Sequence, residues 1–226
     1  MHPNDSGPIY RETLMGRLPV EPWNTWSNLV FLFVVIFWAL RAYREPRKHL
    51  FLAGALPVLF IGFVGGTVFH GTRSHEVWLL MDWVPIVLLC TACMVLFARR
   101  AGLAWPWLLV LFLLPFAARY FLLRSGLPRT FVMNGGYAAM GIMVLFPILL
   151  HLRRNHFAHW PWMAVSAALF AMAVTFRSLD FHEALFWMPM GTHWLWHALG
   201  ALAVHFLMGY IWRDDARLAV EPSRAA

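Results

Sequence analysis

The chain has 226 residues, of which 61% are hydrophobic and 13% are charged, and its formal net charge is +7. Soluble globular domains carry about 25% charged residues, so this composition excludes an ordinary soluble protein and indicates an integral membrane protein. The basic residues lie in short segments between apolar runs and do not form one stripe, which argues against a nucleic-acid-binding protein.

Apolar runs that are long enough to cross a membrane follow one another along almost the whole chain. A spanning helix needs about 20 mostly apolar residues, and short polar segments separate seven such runs. The predicted helices cover residues 24–42, 49–71, 77–98, 104–123, 130–151, 160–178 and 192–212. We therefore predict an all-α fold, a bundle of seven transmembrane helices in which residues 1–226 form a single domain.

Lysines and arginines are divided unequally between the two sides of this bundle. The segments after the first, third, fifth and seventh predicted helices hold 11 of them, Arg224 included, and the opposite segments hold 6, Arg129 included. Positively charged loops stay in the cytoplasm. The N-terminus is therefore predicted outside and the C-terminus in the cytoplasm.

Four ionisable side chains inside the predicted helices share one depth. Each such residue costs on the order of 3 kcal/mol at a helix centre, and it is functional by default. His70 ends the second predicted helix, Asp82 lies near the start of the third, and His193 and His197 open the seventh. With the N-terminus outside, all four lie in the outer half of the membrane. The polar residues that open the first helix lie at the same depth: Glu21, Asn24, Ser27 and Asn28.

The spacing of His193 and His197 puts both imidazoles on one helix face, about 6 Å apart along the axis. His70 would complete a set of three histidines and leave the fourth tetrahedral position to water, as in catalytic zinc sites. Asp82 would hold that water or accept its proton. The alternative is that carbonyls and neighbouring helices satisfy buried histidines. Convergence of three histidines and an aspartate at one depth favours the metal.

Other polar residues allow simpler interpretations. His156 and His159 lie in a basic loop, where surface residues are expected. His205 lies two turns deeper in the seventh helix without an acidic companion, and we interpret it as structural. Arg177 and Asp180 are three residues apart, so they either form an ion pair or line the mouth of the site.

Four short motifs together resemble the alkaline ceramidase family: "EPWNTWSN", "FHGT", "DWVP" and "HWLWH". This family is part of a superfamily of seven-helix membrane hydrolases that includes adiponectin-receptor and Per1-like proteins. The resemblance extends over about residues 10–212, and "FRSLDFHEALFWMPMGTHWLWHALGA" is most similar to the bacterial branch. We accordingly expect a multi-pass protein of a bacterial inner membrane.

The resemblance implies a zinc-dependent hydrolase that cleaves the amide bond of a ceramide-like lipid within the membrane, giving a fatty acid and a sphingoid-type amine. By motif, His70, His193 and His197 are the zinc ligands, and Asp82 is the acidic residue that works with the zinc-bound water. The residues expected to line the site are Asn24, Ser27, Arg177 and Asp180.

Two departures from the family pattern concern the hydroxyl that would stabilise an oxyanion and the residues of a calcium site. Gly66 stands where the family has a serine, so Thr67 beside it is the hydroxyl left to steady a developing oxyanion. Glu21 matches a glutamate that helps bind calcium in eukaryotic members, but the acidic cluster before it is missing. Glu12 and Glu21 are the remnants of that site, and calcium is a doubtful second cofactor.

Two other function classes remain open at this point. A seven-helix protein of this superfamily could be a receptor or signalling protein whose zinc only holds helices together. A closed four-ligand site would favour that alternative, whereas an open position favours the enzyme. A transporter would need polar residues through the whole membrane, and the inner halves of the helices have few of them.

Overall fold

The computed structural model describes residues 3–220, apart from the side chains of residues 129, 130, 133 and 134. Arg224 and the side chain of Arg129, which we counted for the orientation, thus lie outside the described residues. Within them the chain forms α-helices and a short 3₁₀ helix, Glu183–Leu185, but no strand, which confirms the all-α prediction. The α-helices are α1 (Pro22–Ser27), α2 (Leu29–Ala42), α3 (Leu50–Thr72), α4 (Glu76–Arg100), α5 (Trp105–Arg124), α6 (Arg129–Arg154), α7 (Trp160–Ser178) and α8 (His193–Val220).

The first predicted helix is divided into α1 and α2. Pro22 occupies the first position of α1, where its missing N–H and fixed φ suit a helix start. The Glu12 carboxylate accepts the N–H groups of Trp23 and Asn24 at 2.9 and 2.6 Å, which satisfies two donors that have no partner within the helix. The division falls at Asn28, whose side-chain amide donates to the Asn24 carbonyl at 2.9 Å.

Six helical segments of the described residues are long and apolar enough to cross a membrane. They are Pro22–Ala42, Leu50–Thr72, Glu76–Arg100, Trp105–Arg124, Gly135–Arg154 and His193–Val220. The predicted helix 160–178 forms as α7 but is not among the six. A count of seven spans and the orientation therefore stay predictions.

The helices are grouped into two compact units. One unit contains the described residues up to Ile86 and from Pro161 onward, and the other contains Val87–Trp160. In the second unit α5 packs against α6, and Met94, Met143 and Leu111 belong to its apolar core. In the first unit α1 and α2 pack against α3 and α8. The predicted site residues all belong to the first unit, and the single domain over residues 1–226 stays a prediction.

Two glycines allow α3 to approach α4 closely. A Cβ atom added at Gly65 would lie 2.4 Å from the backbone of Met81, a distance that no side chain tolerates. A Cβ atom added at Gly66 would lie 2.6 Å from Oδ1 of Asp82 and 2.9 Å from Oδ1 of Asn28. The approach of the two helices therefore places the Asp82 carboxylate directly against α3.

The segment before α1 runs along the last turn of α3. The backbone N–H groups of Val20 and Glu21 donate to the carbonyls of Gly71 and His70 at 2.8 and 3.0 Å. These carbonyls lie in the last turn of α3, where the helix itself offers no partner. The Glu21 side chain is consequently held beside His70.

Candidate metal centre

Three buried histidines converge where the end of α3 meets the start of α8. One ring nitrogen each of His70, His193 and His197 lies within 4.8 Å of the other two. The ring centroids are 4.7 to 5.4 Å apart. In the part of the chain that the structure describes, no other group of three His, Cys, Asp or Glu side chains is placed to share a metal ion. The structure thus brings together the three residues that the sequence predicts as ligands.

His70 is oriented by a carboxylate. Its Nδ1 lies 2.5 Å from Oε2 of Glu21, and both side chains are fully buried. Its Nε2 is buried and has no hydrogen-bond partner. Leaving such a group unsatisfied costs about 1–3 kcal/mol. Proteins commonly orient a metal-ligating imidazole in this way: Nδ1–H donates to a carboxylate, and Nε2 is left to bind the metal.

His197 is oriented by α1. Its Nδ1 lies 3.0 Å from the Asn24 carbonyl oxygen and 2.9 Å from the Ser27 hydroxyl. The hydroxyl also donates to the same carbonyl at 3.0 Å. With Nδ1–H donating to this carbonyl, Nε2 of His197 keeps its lone pair for a metal. Asn24 and Ser27, which we predicted to line the site, therefore contact His197.

His193 is held by packing and by its own backbone. Its ring stacks on Tyr10, with centroids 3.8 Å apart and planes inclined by 18°. A guanidinium nitrogen of Arg177 lies 3.4 Å from Nδ1 of the same ring. Tyr10 is a site residue that the sequence analysis missed, because it lies in an irregular segment where no periodicity predicts its position.

Asp180 caps the start of α8. Its Oδ1 accepts the N–H groups of Thr192 and His193 at 2.8 and 3.0 Å, and its Oδ2 accepts the N–H of Arg11 at 2.9 Å. A carboxylate at this position satisfies free N–H groups and interacts favourably with the helix dipole. Asp180 therefore positions His193 through the backbone and joins the N-terminal segment to α8.

Asp82, Thr67 and Gly66 meet one turn before His70 on α3. Gly66 and Thr67 precede His70 by four and three residues, which puts all three on neighbouring positions of one helix face. Asp82 reaches this face across the contact at Gly66 and interacts electrostatically with His70. The Thr67 hydroxyl is buried and has no hydrogen-bond partner. A carboxylate and a hydroxyl thus lie at the face of α3 that carries His70.

A buried arginine completes the surroundings of His70. Arg73 ends α3 in the left-handed conformation, with φ 48°, and its side chain is fully buried. Its guanidinium contacts Oε1 of Glu21 at 2.6 Å and both carboxylate oxygens of Asp5 at 2.6 and 2.9 Å. Burial acts to raise the pKa of Glu21, but the His70 hydrogen bond and the Arg73 charge hold it below its ordinary value. Glu21 therefore stays a carboxylate facing His70.

The two glutamates that we interpreted as remnants of a calcium site, with calcium a doubtful cofactor, are engaged by protein donors. Both oxygens of Glu12 accept backbone N–H groups of α1, and burial raises the pKa of this carboxyl against those bonds. Oε1 of Glu21 accepts from the Thr13 hydroxyl at 2.6 Å and from Arg73, and Oε2 faces His70. Glu12 thus caps a helix and Glu21 orients a histidine, while calcium binding stays a prediction.

A family model described as Ceramidase matches residues 15–220 of the chain. The chain belongs to the ceramidase family. The match includes the three histidines, Asp82 and Glu21, whereas Asp5 and Glu12 precede it.

Together with six apolar helices, membership of the ceramidase family indicates a multi-pass membrane protein. The chain is also similar to "Alkaline ceramidase 3" of Mus musculus, with 34% identity over 70 residues. This similarity covers 31% of the chain and 26% of the mouse protein, so the chain aligns with about a quarter of that relative's length. A bacterial inner membrane stays a prediction.

Proposed function

We propose that this member of the ceramidase family is a zinc-dependent hydrolase that cleaves the amide bond of a ceramide-like N-acyl lipid. The products would be a fatty acid and a sphingoid-type amine. The family match over residues 15–220 and the name of the mouse relative support the reaction class. The observation that carries the proposal is the buried group of three histidines in which Nε2 of His70 has no partner among the described residues.

The donor set suits zinc. Three neutral imidazole nitrogens are typical ligands of zinc and neighbouring transition metals, whereas calcium and magnesium prefer oxygen. Catalytic zinc sites keep three protein ligands and one open position, and a set of three histidines matches that pattern. When bound, zinc supplies a Lewis acid for the substrate carbonyl and activates water.

The surrounding side chains have separate tasks in this proposal. Glu21 and the Asn24 carbonyl hold His70 and His197 with their Nε2 atoms available. Asp82 takes a proton from the attacking water and delivers it to the amide nitrogen, so that the C–N bond breaks with a neutral amine leaving. The Thr67 hydroxyl, which has no partner within the described part of the chain, donates to the carbonyl oxygen as negative charge develops there.

The test uses the purified full chain and a sphingoid lipid with a labelled N-acyl group. We expect release of labelled fatty acid and about one equivalent of zinc per chain. His193→Ala should lose both the metal and the activity. His75→Asn is the matched control, because His75 is an exposed histidine whose Nδ1 only accepts the Val77 N–H, and asparagine keeps an acceptor.

Two results would contradict the proposal. Unchanged zinc content in His193→Ala would remove the ligand assignment. A full complement of zinc without hydrolysis of any N-acyl lipid would favour a structural metal instead.

A further inference from the structure

A cleft of about 130 Å³ lies between α2, α7 and α8, far from the three histidines. Arg213 in its wall follows His197 by 16 residues on α8, which is about 24 Å along the axis at 1.5 Å per residue. The lining side chains are Phe37, Trp38, Arg41, Trp162, His205, Trp212 and Arg213. Aromatic rings and cations form this cleft, and no acidic residue lines it.

The two arginines of the cleft are held in place but not neutralised. The guanidinium carbons of Arg41 and Arg213 lie 3.6 Å from the ring centroids of Phe37 and Trp162. Each guanidinium donates to one carbonyl, that of Phe37 at 3.4 Å and that of Gly209 at 2.9 Å. A guanidinium has five N–H donors. Within residues 3–220 neither arginine contacts a carboxylate, so most of these donors and both charges are available.

The walls of the cleft are fixed by buried contacts. A Cβ atom at Gly209 would lie 2.5 Å from the Trp162 ring, so only glycine lets this ring lie against α8. Trp212 stacks on the fully buried His49, with centroids 3.5 Å apart, and His49 contacts Asp215 at 3.1 Å. The cleft is therefore a preformed feature of the three helices.

Trp38, which also lines the cleft, carries a buried hydrogen-bond donor. Trp38 is 3% exposed, and its Nε1–H is buried without an acceptor among the described residues. Buried N–H groups are paired in the great majority of cases, so an unpaired one calls for a ligand. Two guanidinium groups and one indole N–H together offer positive charge and hydrogen-bond donors, which is what an anionic oxygen ligand requires.

The surface next to the cleft is suited to acyl chains. A groove of about 480 Å³ on α2 is lined by Ile36, Ala39, Leu40, Tyr43 and Arg44. Ile36 and Leu40 are exposed there, on a helix that belongs to a candidate membrane span. Basic pockets between membrane helices bind phosphorylated lipid head groups. We propose that the cleft binds the phosphate of an anionic phospholipid whose acyl chains lie along this groove.

The experiment measures lipid binding to the delipidated full chain by native mass spectrometry. The probes are phosphatidylglycerol, phosphatidylcholine, oleate and inorganic phosphate. Phosphatidylglycerol should bind about tenfold more tightly than phosphatidylcholine, because its net charge is not offset by a choline. Arg41→Gln and Arg213→Gln should each remove about tenfold of that affinity.

Matched variants separate the cleft from general surface charge. Arg47→Gln alters an exposed arginine of the same basic segment outside the cleft and should change the affinity less than about twofold. Trp38→Phe removes one N–H donor and keeps the ring, so we expect about a fivefold loss. Thermal unfolding in phosphatidylcholine micelles shows that each variant is folded.

Three results would overturn the proposal. Equal losses of phosphatidylglycerol affinity in Arg47→Gln and Arg41→Gln would mean that binding depends on overall charge and not on the cleft. Oleate bound as tightly as phosphatidylglycerol would exclude the phosphate as the recognised group. Inorganic phosphate that displaces phosphatidylglycerol at equal concentration would exclude a lipid.

Discussion

Two buried histidines of this protein, His70 and His49, have almost the same immediate surroundings. In each, Nδ1 faces a carboxylate, Glu21 at 2.5 Å and Asp215 at 3.1 Å, and Nε2 is buried without a partner. Around His70 two further imidazoles converge, whereas His49 is covered by a stacked tryptophan. A histidine oriented by a carboxylate is therefore not in itself a metal site. What distinguishes the candidate metal centre is the convergence of three ring nitrogens.

The largest expected effect is the difference between the alanine variants of His70 and His49. His70→Ala should abolish metal binding and lower the hydrolysis rate at least about a thousandfold. Without the metal, neither polarisation of the substrate carbonyl nor activation of water is possible. His49→Ala should leave the zinc content unchanged. It should instead lower the free energy of unfolding by about 3 kcal/mol, since removal of the buried imidazole leaves a cavity and ends its stacking on Trp212. Metal analysis and thermal denaturation of both variants are the measurements.

The second effect separates binding of the metal from use of the metal. Asp82→Asn should keep the zinc and lower kcat about 10²- to 10⁴-fold, because an amide cannot accept the proton of the attacking water. Steady-state kinetics with a labelled N-acyl lipid measure the change. A variant that keeps the full rate would exclude Asp82 from proton transfer.

The third effect compares the two orienting carboxylates. Glu21→Gln should weaken zinc affinity about 10- to 100-fold, because the partners that orient ligand histidines tune them to that extent. Asp215→Asn should leave zinc affinity unchanged. Competition with a chromophoric chelator measures both. Equal losses in the two variants would mean that the metal depends on overall stability and not on Glu21.

The smallest effect concerns the glycine that stands in the place of the family's serine. Gly66→Ala would bring a Cβ atom to 2.6 Å from Oδ1 of Asp82, so the carboxylate must move. We expect about a tenfold loss of kcat with zinc retained, since proton transfer depends on position. Gly54→Ala is the control, because an added Cβ meets no atom within 4 Å there and the rate should not change.

The helix spacing and the depth of the polar residues were enough to predict the three histidines and Asp82 as one group. Helix geometry fixes the common face of His193 and His197, and the membrane fixes which helix ends share a level. The structure brings these histidines together with Asp82 nearby, on helices close to their predicted bounds.

The sequence could not predict the groups that hold the histidines in place. Arg73 lies in what reads as an ordinary basic loop, yet its side chain is buried against Asp5, 68 residues away. Tyr10 reaches His193 from an irregular segment. Contacts of this kind depend on the path of a non-helical segment across helix ends, and periodicity carries no information about that path.

The role of Gly66 shows a related limit. From the sequence motif, Gly66 was interpreted as the loss of a serine hydroxyl, because the family pattern has serine at this position. In the structure it is a packing residue, since the absence of a Cβ atom lets Asp82 and Asn28 approach α3. The residue type alone does not show whether a glycine marks the loss of a hydrogen-bond donor or allows a neighbouring side chain to approach.

The most direct test of the metal centre is zinc K-edge X-ray absorption of the purified, active protein. The expected result is three imidazole nitrogens and one further, exchangeable ligand, and the zinc signal should be lost in His197→Ala as in the other two histidine variants. Zinc with sulfur ligands, or a closed set of four protein ligands that exchanges nothing, would contradict it.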